Sequence, residues 1–180
     1  MSLTDKNGDA VSLREKAAWQ QRHSGAPVRQ PVAVIGPREA SEAQLAAAEK
    51  VGAELARIGF AVVCGGRQGI MEAVCRGVAQ ESGISIGLLP DTETANANAF
   101  VTVPIATGIG EARNAIVARA GFCLVVIGDS YGTLSEVALG LQFGRPVFGL
   151  MGAAKIEGVR QCPNVDVAID GVCKVALGLP

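Results

Sequence analysis

The sequence predicts an α/β fold: a doubly wound, mainly parallel sheet with helices on both faces. Three observations predict it. Apolar runs of strand length, such as Val32–Ile35 and Phe122–Ile127, alternate with longer amphipathic segments. The runs are apolar throughout rather than at every second residue, as strands covered on both faces are. Glycine-rich turns separate runs from segments, which gives repeated strand–helix units and hence parallel pairing. With 180 residues, 49% of them hydrophobic, the chain can bury the core of one domain but not of two.

The elements follow in order. Residues 1–30 are polar and weakly patterned and read as a leader outside the core, with a short helix around Leu13–Gln21. Residues 31–180 make the single domain. Val32–Ile35 is a strand. Ser41–Ile58 is an Ala-rich helix, with Ser41-x-x-Gln44 as its capping box and Gly59 as its stop. Phe60–Cys64 is a strand, Gly69–Gln80 a helix and Ile84–Leu89 a strand. Asp91–Ala99 reads as a loop before a short strand at Phe100–Val103. Then come a helix at Ile109–Ala120, a strand at Phe122–Ile127, a helix at Thr133–Phe143 ending at Gly144, and a strand at Pro146–Leu150. A last strand near Val165–Ile169 and a helix from Gly171 close the chain.

Composition narrows the function. The 16 Lys+Arg nearly cancel the 17 Asp+Glu, and aromatics are only 4%, so nothing fits a nucleic-acid partner. A DNA-processing protein on a similar fold is disfavoured on the same ground. The apolar runs are too short to cross a membrane, and no signal-peptide pattern is seen. Five widely spaced cysteines, an odd number, fit a reduced cytoplasm. The only histidine, His23, lies in the polar leader, and no cysteine pair has ligand spacing, so neither a metal site nor a Ser-His-Asp triad is expected. No resident cofactor is implied.

In such a sheet, ligands bind at the carboxyl ends of the strands, so the strand-to-helix turns carry the chemistry. The first turn, Gly36-Pro37-Arg38, lacks the G-x-G-x-x-G pattern of dinucleotide binding. The second, Cys64 to Met71, holds Gly65, Gly66 and Gly69, whose freedom at positive φ and bare amides suit an anion; the alternative is a tight turn. The third puts Arg113 early in a helix, where a cation opposes the dipole unless an anion or carboxylate meets it. In the fourth, Asp129 to Glu136, a buried strand empties into a helix N-terminus. There Gly132 bares the backbone, the hydroxyls of Ser130 and Thr133 add donors, and Glu136 places a carboxylate one turn in. Thr133-x-x-Glu136 also fits a capping box, in which Glu136 only bonds back to the cap. Turns converging on one sheet edge point to a single phosphate-bearing ligand, held at the amides of Gly132 and Thr133 near Gly65-Gly66.

From about Pro31 to Leu150 these residues resemble the Lonely Guy family. Its G-G-G-x-x-G-L-M turn is similar to Gly65-Gly66-Arg67-Gln68-Gly69-Ile70-Met71, its arginine to Arg113, and its P-G-G-x-G-T-x-x-E motif to Gly128 through Glu136. Asp129 and Ser130 replace two glycines of that motif, and Asn114 replaces a lysine. The stretch Gly108-Ile109-Gly110-Glu111-Ala112-Arg113-Asn114 is closer to the neighbouring branch that contains the molybdenum-cofactor carrier protein. The resemblance implies a Rossmann-like fold and a small phosphorylated ligand. It implies one of two functions. One is hydrolysis of a nucleoside 5′-monophosphate to free base and ribose 5-phosphate, with Arg113 and Glu136 catalytic. The other is carriage of a phosphorylated heterocycle such as a pterin, without turnover. Asp129, a carboxylate beside a phosphate, weighs against the first. A homodimer is expected, built on flanking helices such as the Ala-rich Ser41–Ile58.

Overall fold

The computed structural model describes residues 11–180. The order of elements is α1 (Leu13–His23), β1 (Val32–Ile35), α2 (Glu42–Ile58), β2 (Val62–Cys64), α3 (Ile70–Gln80), β3 (Ser85–Leu89), β4 (Val103–Ala106), a 3-10 turn (Gly110–Arg113), α4 (Asn114–Ala120), β5 (Leu124–Ile127), α5 (Tyr131–Gln142), β6 (Val147–Leu150), β7 (Val159–Gln161) and α6 (Val165–Ala176). The strands form one seven-stranded sheet in the order β4-β3-β2-β1-β5-β6-β7, and every neighbouring pair is parallel. The fold is α/β and Rossmann-like. After β4 the chain returns to the far side of β1, so the strand order reverses between β1 and β5. That reversal is the topological switch point.

Two apolar layers sandwich the sheet. One gathers Val32, Val34, Val62 and Cys64 with residues of α2, α3 and α6 and with Ala17 of α1. The other gathers Ala33, Ile35, Val63, Leu124 and Val126 with Val117 and Ala118 of α4 and Val137 of α5. The predicted cap of α2 is present in full: the Gln44 amide N–H donates to Ser41 Oγ at 3.3 Å, and the Ser41 N–H donates to Gln44 Oε1 at 3.0 Å. Gly59 ends this helix in the left-handed region at φ 103°.

The structure departs from the sequence reading at five places. One is β7 at Val159–Gln161, an edge strand that the sequence reading does not contain. Of the other four, the first lies in the expected leader, of which residues 1–10 fall outside the described residues. Leu13–His23 is a capped helix docked on the body, with Ala17 in the core. Arg14 fixes it by reaching Glu54 on α2 (3.1 Å) and Asp166 and Asp170 on α6 (3.1 and 2.9 Å). The second is β4, which lies at Val103–Ala106 rather than Phe100–Val103. Pro104 reads as a strand breaker, but β4 is the sheet edge, where a strand has only one ladder to disrupt. The third is the Ile109–Ala120 helix, which begins as a 3-10 turn and becomes α-helical only at Asn114. The fourth is Val165–Ile169. Alternating β-branched residues suggested a strand, but Val165, Ala168, Ile169 and Val172 share one face at helical spacing, and Asn164 Oδ1 caps the helix through the Val167 N–H at 3.0 Å.

The apolar face of the Ala-rich helix α2 is turned into the molecule. Ala48, Val51 and Leu55 are fully buried, and α2 packs on α3 through facing glycines. A Cβ on Gly77 would fall on the Glu49 carbonyl oxygen, and one on Gly52 on the Val74 carbonyl oxygen. Gly77→Ala must therefore push the two helices apart. We expect a cost of about 1–3 kcal/mol, read as a lower urea midpoint at unchanged slope.

Candidate functional site

A cavity of about 80 Å³ lies at the switch point, lined by Gly36, Pro37, Arg38, Met71, Glu111, Arg113, Asn114, Ser130, Gly132, Thr133 and Glu136. It opens into a groove of about 790 Å³ bounded by Arg38, Glu39, Glu111, Asp129, Tyr131 and Ser135. Three turns build it: the one after β1, the 3-10 turn before α4, and the one leading from β5 into α5.

The entry to α5 shows which donors are available. Ser130 is the N-cap: its Oγ accepts from the Thr133 N–H at 3.1 Å and lies 2.9 Å from Thr133 Oγ1. Asp129 Oδ1 accepts from the Ser130 N–H at 2.9 Å, so this carboxylate holds the turn. The N–H groups of Tyr131 and Gly132, first and second in the helix, have no partner among the described residues and stand at the positive end of the helix dipole. The sequence assigned an anion to the amides of Gly132 and Thr133. The structure leaves Gly132 free and takes Thr133 for the cap, with Tyr131 in its place.

The same geometry answers the capping-box question. Thr133 is not the cap, and Glu136 makes no capping bond. Glu136 is instead buried in the cavity wall, where Oε1 lies 3.7 Å from Arg113 Nη1. That is an ion pair beyond hydrogen-bond length. Burial pushes the Glu136 carboxyl up to about 8; Arg113 pulls it down and Glu111 adds to the rise.

Arg113 is only 4% exposed, and its guanidinium makes no hydrogen bond with any described residue; Nε is buried with no partner. A guanidinium has five donors in a fixed fork, and burying even one without a partner is costly. Its position depends on Gly65, where a Cβ would stand 2.5 Å from Arg113 Nη1 and 2.6 Å from the Met71 sulfur. At the cavity mouth Arg38 pairs with Glu111 at 3.7 Å. Asn114 Nδ2 donates to Ser135 Oγ at 3.1 Å, and Ser135 Oγ donates to the Gly132 carbonyl at 2.7 Å, which ties α4 to α5 beside the site.

Of the predicted residues, the structure brings Arg113, Glu136, Ser130, Gly132 and Thr133 together in one cavity wall. Gly65, Gly66 and Gly69 do not line it. Gly65 makes room for Arg113, Gly66 packs on Gly87 of β3, and Gly69 packs on the backbone of Arg38. The first amide of α3, that of Ile70, already donates to the Pro37 carbonyl at 3.1 Å. The glycines of this turn therefore serve close packing, the alternative weighed from the sequence. Sequence reasoning missed Arg38, Met71 and Asn114. The turn holding Arg38 was set aside for lacking a dinucleotide pattern, although its place after the first strand is the signal that the switch-point rule uses. Among the described residues no group of three or more His, Cys, Asp or Glu could hold a metal ion, and no helix is long and apolar enough to cross a membrane.

Comparison with known proteins agrees with this architecture. Residues 29–169 match the model of the SLOG cluster4 family. The chain is 34% identical over 139 residues to an uncharacterized protein of Archaeoglobus fulgidus, covering 77% of this chain and 91% of the relative. Its fold is similar to that of the molybdenum cofactor binding protein from the phototrophic bacterium Rippkaea orientalis (TM-score 0.77, 30% identity, 82% of this chain and 98% of that one). It is likewise similar to the Moco carrier protein from Chlamydomonas reinhardtii (TM-score 0.76, 32% identity, 84% and 100% covered).

Glu136 gives a pH signature of stability. It titrates near 8 in the folded protein against an ordinary 4.5, so between those values the folded state holds a proton that the unfolded state has lost. Stability should fall as pH rises through this window and level off above it. Glu136→Gln should flatten the fall, read from urea midpoints at about pH 5 and about pH 8.5. Ser130→Ala should cost about 1 kcal/mol through loss of the cap, at either pH.

Proposed function

The chain belongs to the SLOG cluster4 family, and from that premise we propose that it binds a phosphorylated heterocycle as a carrier or binding protein, with the phosphate in the small cavity and the ring in the outer groove. The observation that carries this reading is Arg113: a buried guanidinium, facing a cavity, with no hydrogen bond inside the protein. An entering oxyanion supplies the missing acceptors. The free amide of Gly132 lies in the same cavity wall, with that of Tyr131 next to it at the start of α5.

The solved neighbours that handle the molybdenum cofactor support a phosphorylated pterin as the ligand class. The residues fit the phosphate end of such a cargo. Arg113 and the start of α5 would hold that end, while the exposed ring of Tyr131, 95% accessible at the groove, offers a face on which a heterocycle can stack. Any metal would be held by the ligand's own atoms.

One observation favours a second reading, hydrolysis of a nucleoside 5′-monophosphate: Glu136 shares the cavity with Arg113, as a carboxylate stabilising a ribosyl cation would. Its electrostatics weigh against this. Burial favours the uncharged acid at Glu136, whereas this transition state needs its negative charge.

We also propose a homodimer, on a face other than α2. Val103 and Ile105 on β4 lie on the same side of the sheet as α4, whose main sheet contacts are with β1 and β2, and Val103, Ile105 and Ile116 of α4 are all exposed. Light scattering should report a dimer at micromolar concentration, and Ile105→Asp should shift it to monomer; a wild-type monomer would remove the idea. The five free cysteines support a reducing compartment such as the cytoplasm.

Titration calorimetry with AMP as the test phosphate, together with an assay for ribose 5-phosphate, separates the two functions. We expect binding without release. Arg113→Lys keeps the charge but loses the planar fork, and should weaken binding on the order of tenfold to a hundredfold. Steady release of ribose 5-phosphate would replace the carrier reading with the hydrolase.

A further inference from the structure

We propose that Glu136 meets the bound anion as an uncharged acid, donating its O–H to a phosphate oxygen, so that each ligand brings one proton into the cavity. This rests on the reading that the cavity takes a phosphate.

The charges gathered in this confined space decide which form of Glu136 meets the ligand. Arg113 is the buried cation facing Glu136. Arg38 at the mouth is already matched by Glu111 across 3.7 Å, and Asp129 in the turn before α5 adds a further negative charge at the rim. From β2 the neutral thiol of Cys64 backs Arg113, and from α3 the apolar Met71 faces the cavity. On α5 itself Tyr131 stands at the entrance. With Glu136 ionised, the single positive charge of Arg113 is spent, and a dianionic phosphate would enter beside a buried carboxylate, where water screens the repulsion less than at the surface.

With Glu136 protonated, Arg113 is free for the phosphate, and the carboxyl changes from competitor to donor. Its geometry permits this. Glu136 makes no hydrogen bond within the described protein, and it stands beyond hydrogen-bond reach of Arg113, so no internal partner has to be given up. Burial, which already favours the neutral acid in the empty site, acts in the same direction. The step moves one proton from solvent to a Glu136 carboxylate oxygen, and no bond in the ligand changes.

The test is calorimetry of AMP and, separately, inorganic sulfate, each in two buffers of different ionisation heat. Sulfate is a control because it stays a dianion throughout the range, so any proton taken up goes to the protein. Well above the Glu136 midpoint, at about pH 9, uptake should approach one proton per ligand, and affinity should fall about tenfold per pH unit. At about pH 6.5 the free protein already holds the proton, and sulfate uptake should be close to zero. Glu136→Gln, a permanently neutral donor, should bind with a constant that no longer changes with pH. Ligand binding without proton uptake at about pH 9 would overturn the proposal alone. Failure of both anions to bind at any pH would overturn the phosphate reading and this proposal with it.

Discussion

A buried guanidinium without a hydrogen-bond partner among the described residues, beneath the switch point of the sheet, is the constraint on which the site depends. Arg113 occupies its place only because Gly65 has no side chain and because the chain enters α4 through a tight 3-10 turn that aims the residue inward. The buried charge then sets the electrostatics of the wall opposite. Glu136 is close enough to feel it, yet too far to bond to it. The two groups line one cavity wall without bonding to each other. A buried guanidinium–carboxyl pair at such a distance is a poor source of stability, because desolvation is only partly offset. Its persistence is better understood as readiness for a third charged group than as reinforcement of the fold.

Around this centre, backbone closeness does much of the structural work. The packing of α2 on α3 relies on glycines whose missing side chains let helix backbones touch, and the turn between β2 and α3 relies on Gly66 and Gly69 for the same reason. Such contacts make one rigid layer of β1, β2, α2 and α3. The opposite layer is thinner. Among the described residues, α4 and α5 are the helices on it, and Val103 and Ile105 of β4 are exposed. The molecule thus has a more fully covered face and a less covered one.

Much of this was legible in the sequence, for physical reasons that can be named. Strands buried on both faces must be apolar throughout, so β1 and β5 were read within a residue or two. The caps and stops of α2 follow from side-chain and φ requirements that act locally. Arg113, Ser130, Gly132, Thr133 and Glu136 were legible because a helix N-terminus with small residues and a misplaced cation violates ordinary preference. What failed needed tertiary knowledge. A glycine that must approach a strand and a glycine that must approach a phosphate look alike in sequence, so Gly65, Gly66 and Gly69 were assigned to the ligand rather than to Arg113, Gly87 and Arg38. Whether Val165, Val167 and Ile169 alternate as a strand or share a helix with Ala168 and Val172 depends on which layer needs them. Pro104 is acceptable only because β4 is an edge, which no local rule reveals.

The ionic clamp of Arg14 has a consequence for the chain as a whole. It joins the first described helix to the last, α1 to α6, with α2 between them. In mechanical terms α1 and α6 are drawn together by a noncovalent latch. A linker drawn from α6 to α1 would follow a contact that already exists and so would add little closure entropy. The order of elements could then be rotated, with new ends cut in a surface loop, while the switch point between β1 and β5 stayed whole. The fold is better pictured as a ring of elements around that point than as a line with a beginning.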